Sequence, residues 1–346
     1  MNEQTGDARH GRPNEEKKIM SVLSKWFGLL LPALFAVASA SLALAQDYPN
    51  KPIKLIVGFA AGGPTDVIAR VMAQDMSLSL GQSVIVENRP GANAIIATEA
   101  VARAAPDGYT ILFSSLSLLV NPLLVDSKAK YDPFRDFAPI GNAALLPMIV
   151  VTAPGSPYNS MRELVALAKS KSGEVSYGTS GIGGSSHLAG AMLENMSSTK
   201  MINVPFKGNG PALAEVMAGR VNFMFYPVVG IADQIAGKKL KALALGMVKP
   251  SADFPGVPTM ADAGFAGLEA TAPWVGMLAP AGTPAAIINR LAGEMRKSLS
   301  RPETVERMRG LGALVVSDTP AEFAAFLRKD NERWERVIKA SGVKAE

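Results

Sequence analysis

The sequence predicts a two-lobed α/β protein with a ligand cleft between the lobes. Three observations carry that prediction. From Ile53 onward, short apolar runs alternate with segments of helical period, the pattern of mainly parallel sheets covered by helices. The alternation falls into two blocks separated by a connection rich in Pro and Asp, NPLLVDSKAKYDPFRDFAPIG. The chain has 346 residues, 48% hydrophobic and 19% charged, enough apolar material for two domains of ordinary size.

The elements follow in order. Residues 1–45 read as a secretory leader: Lys17, Lys18 and Lys25 precede an apolar run from Trp26 to Ala38, and Ala43-Leu44-Ala45 supplies a small-residue cleavage site. The run is about 13 residues long, short of the roughly 20 that span a bilayer. Cleavage after Ala45 and export to the periplasm are expected, and Met20 is an alternative start that gives a leader of more usual length. IKLIV (Ile53 to Val57) is the first strand. In DVIARVMAQDM, Val67, Ile68, Val71, Met72 and Met76 recur at helical spacing, and that helix stops near Gly81. The strand SVIVE (Ser83 to Glu87), a helix from about Ala92 to Ala104 and the strand YTILFSS complete the first block.

The second block resumes with MIVVTAP and a helix opened by Ser160-Met161-Arg162-Glu163, a capping box in which serine and glutamate each satisfy a free backbone N–H. A strand EVSYGTS, a helix from about Ser186, a strand MINVPF, a helix PALAEVMAG and the strands VNFMFY and LKALAL follow. The C-terminal third adds one helix from Thr283-Pro284 and another from Thr319-Pro320-Ala321-Glu322. The latter carries Phe323, Phe326, Leu327, Trp334, Val337 and Ile338 on one face.

Composition removes several classes of function. Cysteine is absent, and His187 is the one histidine outside the leader, so neither a thiolate nucleophile nor a Cys- or His-based metal site can be built, and no cofactor is expected. Net charge is +5; the leader holds five basic and four acidic residues, so the rest carries +4. A mildly positive field attracts small anions. No basic block with interleaved aromatics appears, which argues against nucleic acid.

Two glycine-rich turns between strand and helix carry the chemistry. The first, GFAAGGPTDVIAR, fits neither GxxxxGK[ST] nor GxGxxG, so nucleotide binding is disfavoured. What remains is an anion cradle, in which Cβ-free residues let a ligand approach backbone N–H groups at a helix N-terminus. Phe59, Ala60, Gly62, Gly63, Pro64, Thr65 and Asp66 are its candidate residues. Asp66 would repel a doubly charged phosphate, which favours a carboxylate. The alternative is an ordinary turn in which Thr65 or Asp66 merely caps the helix.

The second turn, YGTSGIGGSSHLAGAML, offers Thr179, Ser180, Gly183, Gly184, Ser185, Ser186 and His187. Two facing cradles would hold a ligand at both ends. A serine hydrolase using Ser180 or Ser186 with His187 is the competing reading. However, Gly178-Thr179-Ser180-Gly181-Ile182 misses the GxSxG elbow, and no second histidine can act as base. Hydrogen bonds to a charged group contribute about 1.5–3 kcal/mol each. Three or four therefore supply the ~8 kcal/mol of a micromolar complex after ordering costs. Ser114, Ser115, Lys207 and Tyr226 lie at carboxyl ends of strands or in the turns beyond them, where ligands of open α/β sheets bind; Lys207 as a solvated charge and Tyr226 as a core residue are the alternatives.

Residues 47 to 345 resemble, along their whole length, the substrate-binding receptors of tripartite tricarboxylate transporters, the Bug receptors. The likeness rests on YPNKPIKLIVGFAAGGPTDVIAR, VENRPGA, VARAAPDGYTILF, YDPFRDFAPI, YGTSGIGGSSHLAGAML, VPFKGNGPAL, WVGMLAPAGTP and TPAEFAAFLRKDNERW. The resemblance implies a two-domain periplasmic-binding-protein fold of the type II, Venus-flytrap kind, with residues 47–146 plus 273–346 forming one domain and 147–272 the other. It implies that Phe59 through Asp66 grip a ligand carboxylate through backbone amides and ordered waters, and that Ser180 through His187 meet the other end. The expected partners are a small carboxylate (a di- or tricarboxylate, an aromatic acid or an amino acid) and membrane transporter subunits, with the receptor acting as a monomer. A ligand-presenting sensor for a signalling system is a further reading.

The chain departs from the family pattern where Ala94-Ile95 follows NRPGA in place of glycine. It departs again where Asn222 and Tyr226 stand in VNFMFYP in place of common acidic residues. The second departure is expected to touch the ligand wall and to favour an aromatic or uncharged tail.

Overall fold

The computed structural model describes residues 48–124 and 127–341; the leader lies outside the described residues. From Pro49 the chain forms one compact unit built on two sheets. The first part runs β1 (Ile53–Val57), α1 (Pro64–Leu80), β2 (Val84–Asn88), α2 (Ile95–Ala102), β3 (Thr110–Ser115), α3 (Ser117–Leu123) and β4 (Phe137–Leu145). The second runs β5 (Met148–Thr152), α4 (Met161–Ser170), β6 (Ser176–Thr179), α5 (Ser185–Ser197), β7 (Ile202–Pro205), α6 (Asn209–Met217), β8 (Phe223–Pro227), α7 (Ala232–Ala236) and β9 (Lys241–Leu245). The return adds β10 (Trp274–Pro280), α8 (Ala285–Leu299), α9 (Pro302–Gly310), β11 (Leu314–Val315) and α10 (Pro320–Ser341).

The strand orders are β11-β4-β10-β3-β1-β2 and β7-β6-β8-β5-β9. β1 pairs in parallel with β2 and β3, and β6 with β7 and β8. The other pairings are antiparallel: in the first sheet β10 runs against β3 and β4, and β11 against β4; in the second β5 runs against β8 and β9. The expectation of mainly parallel sheets is corrected accordingly. β4 and β10 are the strands that lead out of and back into the first sheet. β4 has no counterpart among the strands expected from the sequence: it begins inside the Pro- and Asp-rich connection, where its Pro139 hides the strand pattern. The chain passes between sheets at Leu146-Pro147 and again at Pro273. These crossings lie side by side, the Leu146 N–H donating to the Pro273 carbonyl at 2.8 Å.

Local signals act as their chemistry requires. α1 ends at Gly81 in the left-handed conformation (φ 66°). At α4, Ser160 Oγ accepts the Glu163 N–H at 3.2 Å, while the Glu163 carboxylate reaches one residue further back, to the Asn159 N–H at 2.6 Å. At α10 the Thr319/Glu322 box closes in both directions. The helix expected from Ala92 begins at Ile95 instead, because Ala92, Asn93 and Ala94 take φ of 46°, 47° and 72°.

In the second sheet, alternate residues of β8 face opposite cores. Phe223 and Phe225 pack with Tyr158, Leu164 and Tyr177; Met224 and Tyr226 pack with Ile149, Val216 and Ile231. On one face of the first sheet Ile56, Leu112, Trp274, Phe323 and Leu327 form the core. A further apolar cluster joins Val120 and Leu124 to Leu188 and Ala191 of α5 and to Trp334 of α10, so it bridges helices of the two sheets.

Candidate functional site

The loops that follow β1, β2, β6 and β7 meet between the two sheets, each leading into a helix. The helices α1, α5 and α6 have glycine N-caps, Gly63, Gly184 and Gly208, and no side chain caps any of them. Their first-turn N–H groups therefore lack the side-chain oxygen that Ser160 gives to α4.

The first loop is braced from behind. Asp66, only 1% exposed, accepts hydrogen bonds from the Gly62 N–H (2.8 Å), Arg70 Nε (2.9 Å) and Asn88 Nδ2 (2.9 Å). Asn88 Nδ2 also donates to the Phe59 carbonyl at 3.0 Å, which pins the other arm of the loop. Burial raises the Asp66 carboxyl pKa, but the hydrogen bonds from Arg70, Gly62 and Asn88 outweigh it and the net shift is downward. Both carboxylate oxygens are thus committed to the loop, and the expectation of Asp66 as a ligand contact gives way to that of a loop brace.

The second loop is held in a similar way. Ser186 Oγ accepts the Ser180 N–H at 3.0 Å, and His187 Nδ1 accepts the Gly183 N–H at 3.0 Å. Burial lowers the His187 pKa to about 4, and its ring stacks on Tyr177 with centroids 6.4 Å apart. The imidazole is therefore neutral at pH 7, with its Nδ1 lone pair occupied by backbone. No hydrogen bond joins it to Ser180 or Ser186, so the side chains do not form the serine–histidine relay that hydrolysis needs. Gly183 sits at φ 76°, and a Cβ there would run into Leu124, which follows α3. Gly208 approaches the first loop so closely that a Cβ would stand 3.4 Å from the Ala60 nitrogen.

Between the loops lies a cavity of about 350 Å³. Its apolar wall is made by Phe59, Ala94, Ile95, Leu124, Ile182 and Phe206, and Lys128 and Lys207 stand at its edge. A narrow crevice of about 10 Å³ shares Phe59, Asn93 and Ser180 with it and is lined by Thr65, Ser115, Ser117, Gly184, Ser185 and Asn209. That is space for roughly one water-sized group. No described residue lining either space is acidic. Buried side-chain atoms without a partner gather here: Asn93 Oδ1, Ser117 Oγ and Asn209 Oδ1.

The expected residues divide as follows. Phe59, Thr65, Ser115, Ser180, Gly184, Ser185 and Lys207 line the cavity or the crevice. Ala60, Gly62, Gly63 and Pro64 form the first loop, and Gly183, Ser186 and His187 shape the second, without lining either space. Ser114 precedes Ser115 in a strand, so it points to the opposite face of the sheet. Thr179 hydrogen-bonds Asn203 at 2.9 Å and lies outside the lining. Tyr226 is a correction: it is 4% exposed within the Ile149–Met224 core, where burial pushes its hydroxyl pKa up to about 12. Pro227, one residue on, reaches the crevice instead. Asn222 is also removed from the ligand wall, since its Oδ1 accepts from Ser176 N (2.8 Å) and Oγ (2.9 Å) at the start of β6.

Sequence reasoning missed the left-handed turn Ala92–Ala94. An L-residue in this region costs roughly 1–2 kcal/mol, less for asparagine. Ala94 takes φ 72°, a value at which glycine is the residue without strain. Its methyl lies against Gly58, where any Cβ would overlap it. The turn carries Asn93 into both the cavity and the crevice. The signal for it was Gly91-Ala92-Asn93 shortly after a strand and just past Pro90, since asparagine tolerates this conformation better than most side-chain-bearing residues.

A model of the tripartite tricarboxylate transporter family receptor matches residues 68–343. The chain is 35% identical to protein BugT of Bordetella pertussis over 313 residues, covering 89% of this chain and 95% of that one. The structure of the periplasmic binding protein BugD superposes with a TM-score of 0.82 at 35% identity, covering 86% of this chain and all of BugD. An R. palustris protein, Rpa4515, solved with adipate, gives a TM-score of 0.82 at 30% identity, over 86% of this chain and 99% of that one.

Proposed function

Because the chain belongs to the tripartite tricarboxylate transporter receptor family, a family of periplasmic receptors rather than enzymes, we propose that it captures a small carboxylate between its sheets and delivers it to membrane transporter subunits. In this reading residues 47–146 plus 273–346 and residues 147–272 are the two domains of a clamshell, exported after cleavage at Ala45. The acid group lies at the mouth of the crevice, where the first turns of α1, α5 and α6 supply N–H donors and Thr65, Ser115 and Ser185 supply hydroxyls. The body of the ligand lies against Phe59, Ile95, Ile182 and Phe206.

One observation carries the reading: helix starts without side-chain caps converge on a crevice that no described acidic side chain lines. An anion is the ligand that such donors stabilise. The adipate bound by Rpa4515 supports a carboxylate.

A thermal-shift screen of mono-, di- and tricarboxylates, aromatic acids and amino acids tests it. An acid at about a hundred times its Kd adds about 2.7 kcal/mol to the folded state, and its primary amide, lacking the charge, leaves the melting temperature unchanged. Lack of any shift across the panel would overturn the proposal.

A further inference from the structure

We infer that Asn93 selects a ligand bearing a neutral hydrogen-bond donor beside its acid group, which makes the preferred class hydroxycarboxylates. This rests on the receptor reading above and refines it.

The argument starts from an orientation that the structure determines. Asn121 Nδ2 donates to the Asn93 main-chain carbonyl at 2.9 Å, so Asn121 Oδ1 must be the atom that faces Asn93. It accepts from Asn93 Nδ2 at 2.9 Å. Asn93 is therefore turned with its Oδ1 away from Asn121, and exchanging its amide atoms would set two carbonyl oxygens against each other. That Oδ1 is buried and has no partner, on a residue only 8% exposed. It looks toward Gly184, where a built Cβ would stand 3.3 Å away, and Asn93 lines both the crevice and the cavity.

A carboxylate cannot satisfy this atom, because both are acceptors. A bound acid offers Asn93 Oδ1 no donor of its own, so a ligand pairs with this atom directly when it also carries a donor. A hydroxyl and an ammonium both qualify, and local charge separates them. No described lining residue is acidic, and Asp66, next in sequence to the lining residue Thr65, already accepts from Gly62, Arg70 and Asn88. Among the described lining residues a buried ammonium finds no counter-charge, whereas a hydroxyl needs none. The strained turn fits the same role, since it holds three residues at positive φ and thereby places Asn93 at the junction of the two spaces.

The test titrates the purified full chain with matched trios that differ in one group: malate, succinate and aspartate, then mandelate, phenylacetate and phenylglycine. In wild type the hydroxy acid is expected to bind about 10- to 100-fold more tightly than the unsubstituted acid, with the amino acid no better than the latter. Asn93→Gly suits the positive φ and deletes the acceptor; in it the preference is expected to narrow to within about threefold. Equal affinity for hydroxy and unsubstituted acids in wild type overturns the inference but leaves the receptor reading intact, as does a preference that survives in Asn93→Gly. Tighter binding of the amino acids overturns the choice of a neutral donor. Absence of binding by every acid overturns the receptor reading and the inference with it. The wild-type comparison is decisive even where the variant folds poorly.

Discussion

Replacing Asp66 with alanine separates a loop brace from a ligand contact. The carboxylate holds the Gly62 N–H at 2.8 Å, Asn88 Nδ2 at 2.9 Å and Arg70 Nε at 2.9 Å. The Arg70 side chain is 52% exposed and also donates to Asn88 Oδ1, so it rehydrates on loss of its partner and that pair contributes at most about 1 kcal/mol. The Gly62 and Asn88 bonds are to a charged acceptor and contribute about 1.5–3 kcal/mol each. Partial re-solvation of the freed groups reduces the sum, giving an expected loss of about 3 kcal/mol in the ligand-free protein.

Urea unfolding without ligand measures that loss. Its pH dependence follows from the lowered carboxyl pKa: the stabilisation is complete above the unfolded carboxylate range near pH 4 and disappears as pH falls through the lower folded value. Wild type and Asp66→Ala should therefore differ by a constant amount from pH 8 to pH 5 and converge in stronger acid. A ligand-free stability within about 0.5 kcal/mol of wild type, accompanied by lost affinity, would refute the brace and return Asp66 to the ligand.

Two further outcomes are expected. His187 is held neutral by burial with a pKa of about 4, so the unfolded chain binds the extra proton between roughly pH 6.5 and 4 and stability falls as pH drops through that window. Wild type should lose about 2 kcal/mol more than His187→Gln between pH 7 and pH 5, read from urea midpoints; equal losses would place the proton elsewhere. Gly190 lies in α5 with its Cα against the Tyr177 ring, which a Cβ would overlap. Gly190→Ala should destabilise by about 1–3 kcal/mol, although alanine normally gains about 1 kcal/mol over glycine inside a helix; a raised melting temperature would contradict the packing.

Local signals in the sequence predicted local structure well. The apolar periods of 53–57 and 67–76, the stop at Gly81 and the boxes at Ser160 and Thr319 all concern residues within a turn or two of each other. β4 and β10 were harder to read. Phe137–Leu145 contains a proline and four small residues where an alternating pattern would show, and Trp274–Pro280 is buried on both faces, so no period appears. Strand direction was not legible either, because side-chain alternation is the same in parallel and antiparallel pairs.

By itself, the sequence determined an α/β chain with glycine-rich starts to its cleft-facing helices and no chemistry from cysteine or a histidine pair, because those properties belong to residue types and short spacings. Tertiary structure alone decided which polar groups remain free. Asp66, in the first turn of α1, is consumed by Gly62, Arg70 and Asn88; Tyr226 is turned into the core by the two-residue period of β8; and Asn93, unremarked in its helix-like surroundings, is left with an unpaired oxygen where the cavity meets the crevice. Hydrogen-bond satisfaction depends on partners tens of residues apart, and folding alone sets which of them meet.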